Sequence, residues 1–181
     1  VNHGWTPDSD TWETHCSRFC NDLVVPFESY KLASKPYCAG TQGGSGGKSG
    51  EARARELRYQ WFARMIEPED LLVTGHHLDD QGETLFFRLM RGASVRGLGA
   101  IRPFQRLYGL KVVRPLLDVP KERLADWVTE RGLPTVCDPS NWDETYDRNL
   151  LRRQIFPALQ SRWPNAAQTL ARSASHFQEA Q

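Results

Sequence analysis

Residues Asp70–Arg91 read DLLVTGHHLDDQGETLFFRLMR. The opening DLLVTG is a short continuous apolar run, the pattern of a strand buried on both faces of a parallel sheet. From Leu78 the pattern changes to helical period, with Leu85, Phe86, Leu89 and Met90 on the apolar side. In a parallel sheet, ligands bind outside the carboxyl ends of the strands. His76 and His77 sit at such an end. Asp79 and Asp80 fall at the start of the helix, where free backbone N–H groups and the helix dipole favour a carboxylate. Capping accounts for one of them. Two imidazoles and two carboxylates together exceed what a cap needs. Aspartate can hold Mg²⁺ directly or through water, and histidine can bind phosphate or move a proton.

The pattern extends outward on both sides. Val1–His3 reads as the end of a strand. Ser9–Leu23 has helical spacing, with Trp12, Cys16, Phe19 and Leu23 on one face. Pro26–Leu32 reads as a short strand, and 33–50 as a long Gly/Ser/Lys/Pro loop. Glu51–Ile66 is helical, with Leu57, Trp61 and Met65 inward. After the junction come RPFQRLY, Gly109 and LKVVRPLL, a hairpin-like stretch. Pro120–Arg131 is helical, with Leu124, Trp127 and Val128 inward. Tyr146–Trp163 is helical, with Leu151, Ile155 and Leu159 inward, and Asn165–Ala180 starts another helix. Strand and helix alternate, which predicts an α/β fold with a parallel sheet and helices on both faces.

The chain has 181 residues, 39% of them apolar, enough for one buried core. No apolar run approaches the roughly 18 residues of a membrane span, and no signal peptide opens the chain. It begins VNHGW, apolar from the start and without methionine, so it is expected to be a fragment that starts inside a strand. The four cysteines, Cys16, Cys20, Cys38 and Cys137, form no CxxC pair. Cys16 and Cys20, four apart on one face of a helix, are expected to be core thiols, and the protein to be a reducing, cytoplasmic one. The net charge of +1 hides an asymmetry. Residues 1–85 carry 8 Lys/Arg against 13 Asp/Glu, and residues 86–163 carry 14 against 8. Between Glu83 and Asp118 stand seven cations and no acid: Arg88, Arg91, Arg96, Arg102, Arg106, Lys111 and Arg114. Clustered cations of this kind attract polyanions.

Gly43–Gly50 reads GGSGGKSG and imitates a Walker phosphate loop. That motif needs a glycine five residues before Gly47, where Gln42 stands, and it follows a buried strand directly. Neither condition holds, so the segment is expected to bind no phosphate. A second polar cluster lies in Asp138–Leu159, DPSNWDETYDRNLLRRQIFPAL. Asp138, Ser140, Asn141 and Asp143 make a polar turn before a helix. Arg148, Asn149, Arg152 and Arg153 project from its first turns, and arginine suits bidentate contact with phosphate or carboxylate.

Three segments in this order resemble the lysidine synthetases, a family of N-type ATP pyrophosphatases. They are Glu51–Tyr59 (EARARELRY), Gly75–Ile101 (GHHLDDQGETLFFRLMRGASVRGLGAI) and Asp138–Leu159. Ile101 stands where methionine is common. VNHGW resembles the family's second strand and its His-Gly end, which implies that His3 and Gly4 approach the nucleotide. The resemblance implies a Rossmann-like, adenine nucleotide alpha hydrolase-like fold, incomplete at the N-terminus. Residues 1–163 would form a partial catalytic domain, and 164–181 the start of a connecting helix. It implies ATP and Mg²⁺ as cofactors, and L-lysine and the CAU-anticodon tRNA(Ile) as partners. ATP would adenylate the C2 carbonyl oxygen of the wobble cytidine, and the lysine ε-amine would then attack C2 and release AMP. The implied catalytic residues are His77, Asp79, Asp80 and Arg91, with Asp80 also a metal ligand. His76, Arg148, Asn149, Arg152 and Arg153 would contact substrate or tRNA. Asp80→Asn is expected to lower turnover about a hundredfold, as loss of a general acid–base or metal-holding group does, with little effect on folding. The family's SGGxDS loop does not occur in this sequence, so this chain alone is expected to be inactive. The rival readings are a sister tRNA-cytidine thiolase, whose usual CxxC pairs are missing, and a non-catalytic RNA-binding module.

Overall fold

The structure, a computed structural model, describes Val1, Asn2, Gly4, residues 8–31 and residues 50–181, with backbone alone for 50–52. His3, Cys38 and the glycine-rich segment up to residue 49 lie outside the described residues. The chain forms two compact units, Val1–Asp70 with Leu107–Leu110, and Leu71–Arg106 with Lys111–Gln181.

The first unit holds helices α1 (Ser9–Asp22) and α2 (Gly50–Met65). Asn2 and Lys31 form a parallel bridge, all that the described residues show of the expected strand at Pro26–Leu32. The Asn2 side chain donates to Asp10 and Glu13, both at 2.8 Å. Polar contacts like these hold α1, which buries no residue. Its expected apolar face is therefore corrected: Leu23 and Cys16 are exposed, and Cys20 is half-buried. Helix α2 buries Ala54 and Tyr59, while Met65 is exposed. Aromatic contacts set that face. Tyr59 stacks on Tyr108 at 5.5 Å, and Trp61 on Tyr30 at 5.6 Å. Rings of this size outweigh a single aliphatic side chain in buried area.

In the second unit, β1 (Leu71–Val73) leads into α3 (Leu78–Met90) and the short α4 (Val95–Leu98). Strands β2 (Phe104–Leu107) and β3 (Leu110–Val113) follow, in the sheet order β1-β3-β2. β1 runs parallel to β3, with Leu72 opposite Val112. β2 and β3 form the expected hairpin. Its two turn residues, Tyr108 and Gly109, have φ of 52° and 83°, the two positive values a type I′ turn demands. Expectation and structure part at β1. Leu71 is 54% and Val73 60% exposed, so the strand is not buried on both faces. In the three-stranded sheet of the described residues it lies at the edge. The central strand behaves as expected, with Val112 fully buried.

Helix α8 (Ala166–Glu179) packs along α3, and Leu85, Ala100 and Ala174 form the centre of that contact. The segment 164–181 thus shares a core with the sheet-to-helix junction. Gly82 permits the close approach: a Cβ there would stand 3.3 Å from the Phe156 ring and 3.4 Å from the Ala167 Cα. Leu89, Met90 and Trp127, expected inward, are exposed. Helix α5 (Lys121–Glu130) buries none of its residues. The expected helix Tyr146–Trp163 is interrupted. It consists of α6 (Asp147–Leu150), a π-helical turn (Leu151–Ile155) and α7 (Phe156–Arg162). Pro157 explains the break, since its ring lacks an N–H and clashes with the carbonyl of residue 153 in a regular helix.

Candidate functional site

The junction after β1 folds as a reciprocal cap. The Asp80 carboxylate accepts from the His77 backbone N–H at 3.0 Å, and His77 Nδ1 accepts from the Asp80 N–H at 3.4 Å. Two of the helix's orphan donors are satisfied in this way. Asp79 turns outward to a different task. Its Oδ2 accepts the backbone N–H of Lys121 at 2.8 Å, which fastens the start of α5 to the start of α3. The His77 ring lies between the two carboxylates, with Nδ1 3.7 Å from Asp79 and Nε2 3.5 Å from Asp80. His76 stands one residue back, with Nδ1 2.9 Å from the Thr74 hydroxyl.

The third polar segment arrives from the other side. Arg148 sits in α6, and Arg152 in the π turn one step further on. Arg148 donates through Nη2 to Asp80 Oδ1 at 2.7 Å and through Nε to Glu83 at 3.0 Å. Arg152 repeats the arrangement, Nη2 to Asp80 Oδ1 at 2.8 Å and Nε to Glu83 at 2.7 Å. Two carboxylates and two guanidiniums thus form a closed, charge-neutral square. Asp80 and Glu83 are buried, and the Arg148 and Arg152 side chains are 43% and 31% exposed. Each arginine bonds the carboxylates by its Nε/Nη2 edge, leaving Nη1 without a partner among the described residues. The square therefore holds two cations from behind and leaves one guanidinium nitrogen of each without a protein partner among the described residues.

Electrostatics agree with this geometry. Burial alone would raise the Asp80 pKa, but the His77 backbone N–H, Arg148, the His77 ring and Arg152 together hold it below the usual carboxylate range. Burial alone would lower the Arg152 pKa, but hydrogen bonds and charge from Glu83 and Asp80 raise it. Both groups stay charged at neutral pH.

The structure sorts the residues singled out in the sequence. It brings His77, Asp79, Asp80, Arg148 and Arg152 together. Arg91 is exposed, lies 3.9 Å over the Phe87 ring and faces Asp147 at 3.6 Å, beside the square and outside it. Asn149 donates to the carbonyls of Ser140 (2.9 Å) and Asp143 (2.8 Å), closing the polar turn. Arg153 lies 4.8 Å over the Trp142 ring and donates to the Trp142 carbonyl at 2.9 Å. Gly4 belongs to the first unit, with φ of 61°. Asp80 as a metal ligand does not fit. One oxygen already takes a backbone N–H and the other takes two guanidiniums, and among the described residues no group of three or more His, Cys, Asp or Glu could hold a metal. Nor is Asp80 neutral for folding, since it caps α3 and ties down two arginines.

Glu83 was missed by sequence reasoning. The signal was its position three residues after Asp80, on the same helix face. Gln81 was missed as well. Its amide pairs with Ile101, donating to the carbonyl at 2.8 Å and accepting the N–H at 2.7 Å, and so pins the loop after α4.

A parallel strand pair that leads through a polar junction into a packed helix defines an α/β domain. Comparison with known families gives the same class: a PP-loop domain model matches residues 1–159, and the chain belongs to that family. Among individual proteins it is similar to tRNA(Ile)-lysidine synthases. That of Pseudomonas fluorescens is 42% identical over 181 residues, covering 100% of this chain and 39% of the relative. That of Escherichia coli O157:H7 is 42% identical over 177 residues, covering 97% and 38%. The chain thus spans under half the length of these relatives. The fold is also that of a U34-tRNA thiolase, NcsA from Methanococcus maripaludis, with TM-score 0.75 and 17% identity over 99% of this chain and 60% of that one.

Proposed function

We propose that the chain serves a tRNA(Ile)-lysidine synthase, an ATP-dependent ligase acting in the cytoplasm. The wobble-cytidine O2 attacks the α-phosphate of ATP and pyrophosphate leaves. The ε-amine of L-lysine then forms a bond to C2, the C2–O bond to AMP breaks, and the amine sheds a proton. The single observation that carries this reading is the square of Asp80, Glu83, Arg148 and Arg152, built from two of the segments that resemble lysidine synthetases. The full-length similarity of this chain to curated lysidine synthases supports it.

Arg148 and Arg152 would offer their outer guanidinium nitrogens to the phosphates or to the lysine carboxylate, already oriented by Asp80 and Glu83. Charge fixed in advance of reaction stabilises a transition state without reorganisation. His77, set between Asp79 and Asp80, would take the amine's proton. Mg²⁺ would enter with the nucleotide phosphates, because the described residues offer it no cage of their own. Among the described residues no helix is long and apolar enough to cross a membrane.

The test is lysidine formation by the complete gene product, with tRNA(Ile), lysine and ATP, followed by nucleoside mass spectrometry. Arg148→Ala should lower turnover by about two orders of magnitude, the scale of a lost preorganised donor. A thiolated nucleoside in place of lysidine would favour the thiolase reading. Wild-type turnover in the variant would remove the square from the mechanism.

A further inference from the structure

On the side of α3 that bears Gln81 and Arg88, the second unit has a recess of about 860 Å³ that the site above does not use. Arg88, Arg96, Arg102 and Arg106 line it, and among the described residues no acid does. Their states differ. Arg88 is spent on structure, donating to the carbonyls of Gly97 (2.6 Å) and Ala100 (3.0 Å), and Arg102 reaches Gln181. Arg96 and Arg106 are exposed, and their guanidiniums make no hydrogen bond or ion pair among the described residues. Phe104 also lines the recess and is 52% exposed. It stands two residues before Arg106 in β2, so ring and guanidinium share one face of the strand.

Uncompensated cations beside an open aromatic face match unpaired nucleic acid: the guanidiniums take phosphates, and a base stacks on the ring. Arg88 lies eight residues beyond Asp80 on α3, about 12 Å along the helix, and points to a different side. The recess is thus separate from the square. We infer that this recess is a docking site for the sugar-phosphate backbone of the RNA substrate, with Arg96 and Arg106 on successive phosphates and one unpaired base on Phe104. The inference rests on the proposed tRNA-modifying function and gives that function a binding surface.

The experiment uses the complete gene product and a tRNA(Ile) transcript, with affinity measured by fluorescence anisotropy from 0.05 to 0.5 M salt. Each lost phosphate contact lowers the slope of log K against log salt by roughly 0.7–0.9. Arg96→Gln with Arg106→Gln should therefore lower it by about 1.5 and weaken binding on the order of tenfold at 0.1 M salt. Phe104→Ala should weaken binding about fivefold or more at every salt concentration, without changing the slope. The KM for ATP should stay within about twofold in both variants. Arg96, Arg106 and Phe104 are exposed, so melting temperatures should match wild type and exclude misfolding. An unchanged slope in the double variant, or a loss that falls on ATP instead of tRNA, overturns the inference. Failure of the wild type to bind tRNA(Ile) and form lysidine would instead overturn the proposed function.

Discussion

Replacing Glu83 by Gln removes one corner of the charged square and nothing else of similar size. Glu83 accepts Arg148 Nε at 3.0 Å and Arg152 Nε at 2.7 Å. A hydrogen bond to a charged group contributes roughly 1.5–3 kcal/mol when buried, and exposed pairs contribute under about 1. The carboxylate is buried, but each guanidinium is about a third or more exposed, so each bond falls near 1 kcal/mol. Glutamine keeps one acceptor, yet turns its amide donors toward a cation. The expected loss is about 2 kcal/mol, or about 4–8 °C in melting temperature for a chain of this size. Thermal melting and urea titration would measure it. In an Arg152→Gln background the same change should cost less than half as much, because contacting groups couple. A shift below about 1 °C would refute the view that the square holds α3 against α6.

Four further outcomes can be checked together. Asp80 has a lowered pKa, so its share of stability is complete above the unfolded value of about 3.9 and is lost as pH falls through the folded value. Asp80→Asn should therefore melt several degrees lower at pH 7, yet lose less than wild type between pH 5 and 2. Gly82→Ala pushes a methyl group against Phe156 and Ala167 and should destabilise by about 1–3 kcal/mol, read in urea. Asp79→Ala frees the Lys121 N–H and should cost about 1 kcal/mol, seen as faster amide exchange at the start of α5. Lys48→Ala should leave ATP turnover within about tenfold of wild type, whereas a larger loss would restore a phosphate-loop role to GGSGGKSG.

The alternation of strands and helices was legible because each relied on local pattern. DLLVTG gave β1, the periodic run from Leu78 gave α3, and the segment around Gly109 gave the hairpin, since only a few residue types turn a chain so tightly. Burial was less legible, because it depends on what covers an element. Apolar content in Leu71, Val73, Leu89 and Trp127 states a capacity to be covered. Whether a neighbour exists is decided by parts of the molecule far away in sequence. Ala54 and Tyr59 replaced Leu57 and Met65 for the same reason, their face being chosen by rings on other segments. The π turn was legible in principle from Pro157, whose missing N–H forbids a regular helix through that point.

At the site, the sequence posed a choice between cap and chemistry for Asp79 and Asp80. The structure makes the choice unnecessary for Asp80. One oxygen closes the cap with His77 and the other fixes two arginines, so the same charge that starts α3 also holds Arg148 and Arg152. Asp79 does serve as a cap, but of α5, a pairing 42 positions away that no local rule reveals. Glu83 shows the limit from the other side. Its helix position put it on the face of Asp80, but its partners lie 65 and 69 positions further on, and only the fold brings them together. A carboxylate buried there without Arg148 and Arg152 would cost several kcal/mol. The two arginines are thus required for α3 to keep Glu83 inside, and holding them in place for that purpose leaves Nη1 of each without a partner among the described residues. The preorganisation that an anion site needs follows from the stability of the helix behind it.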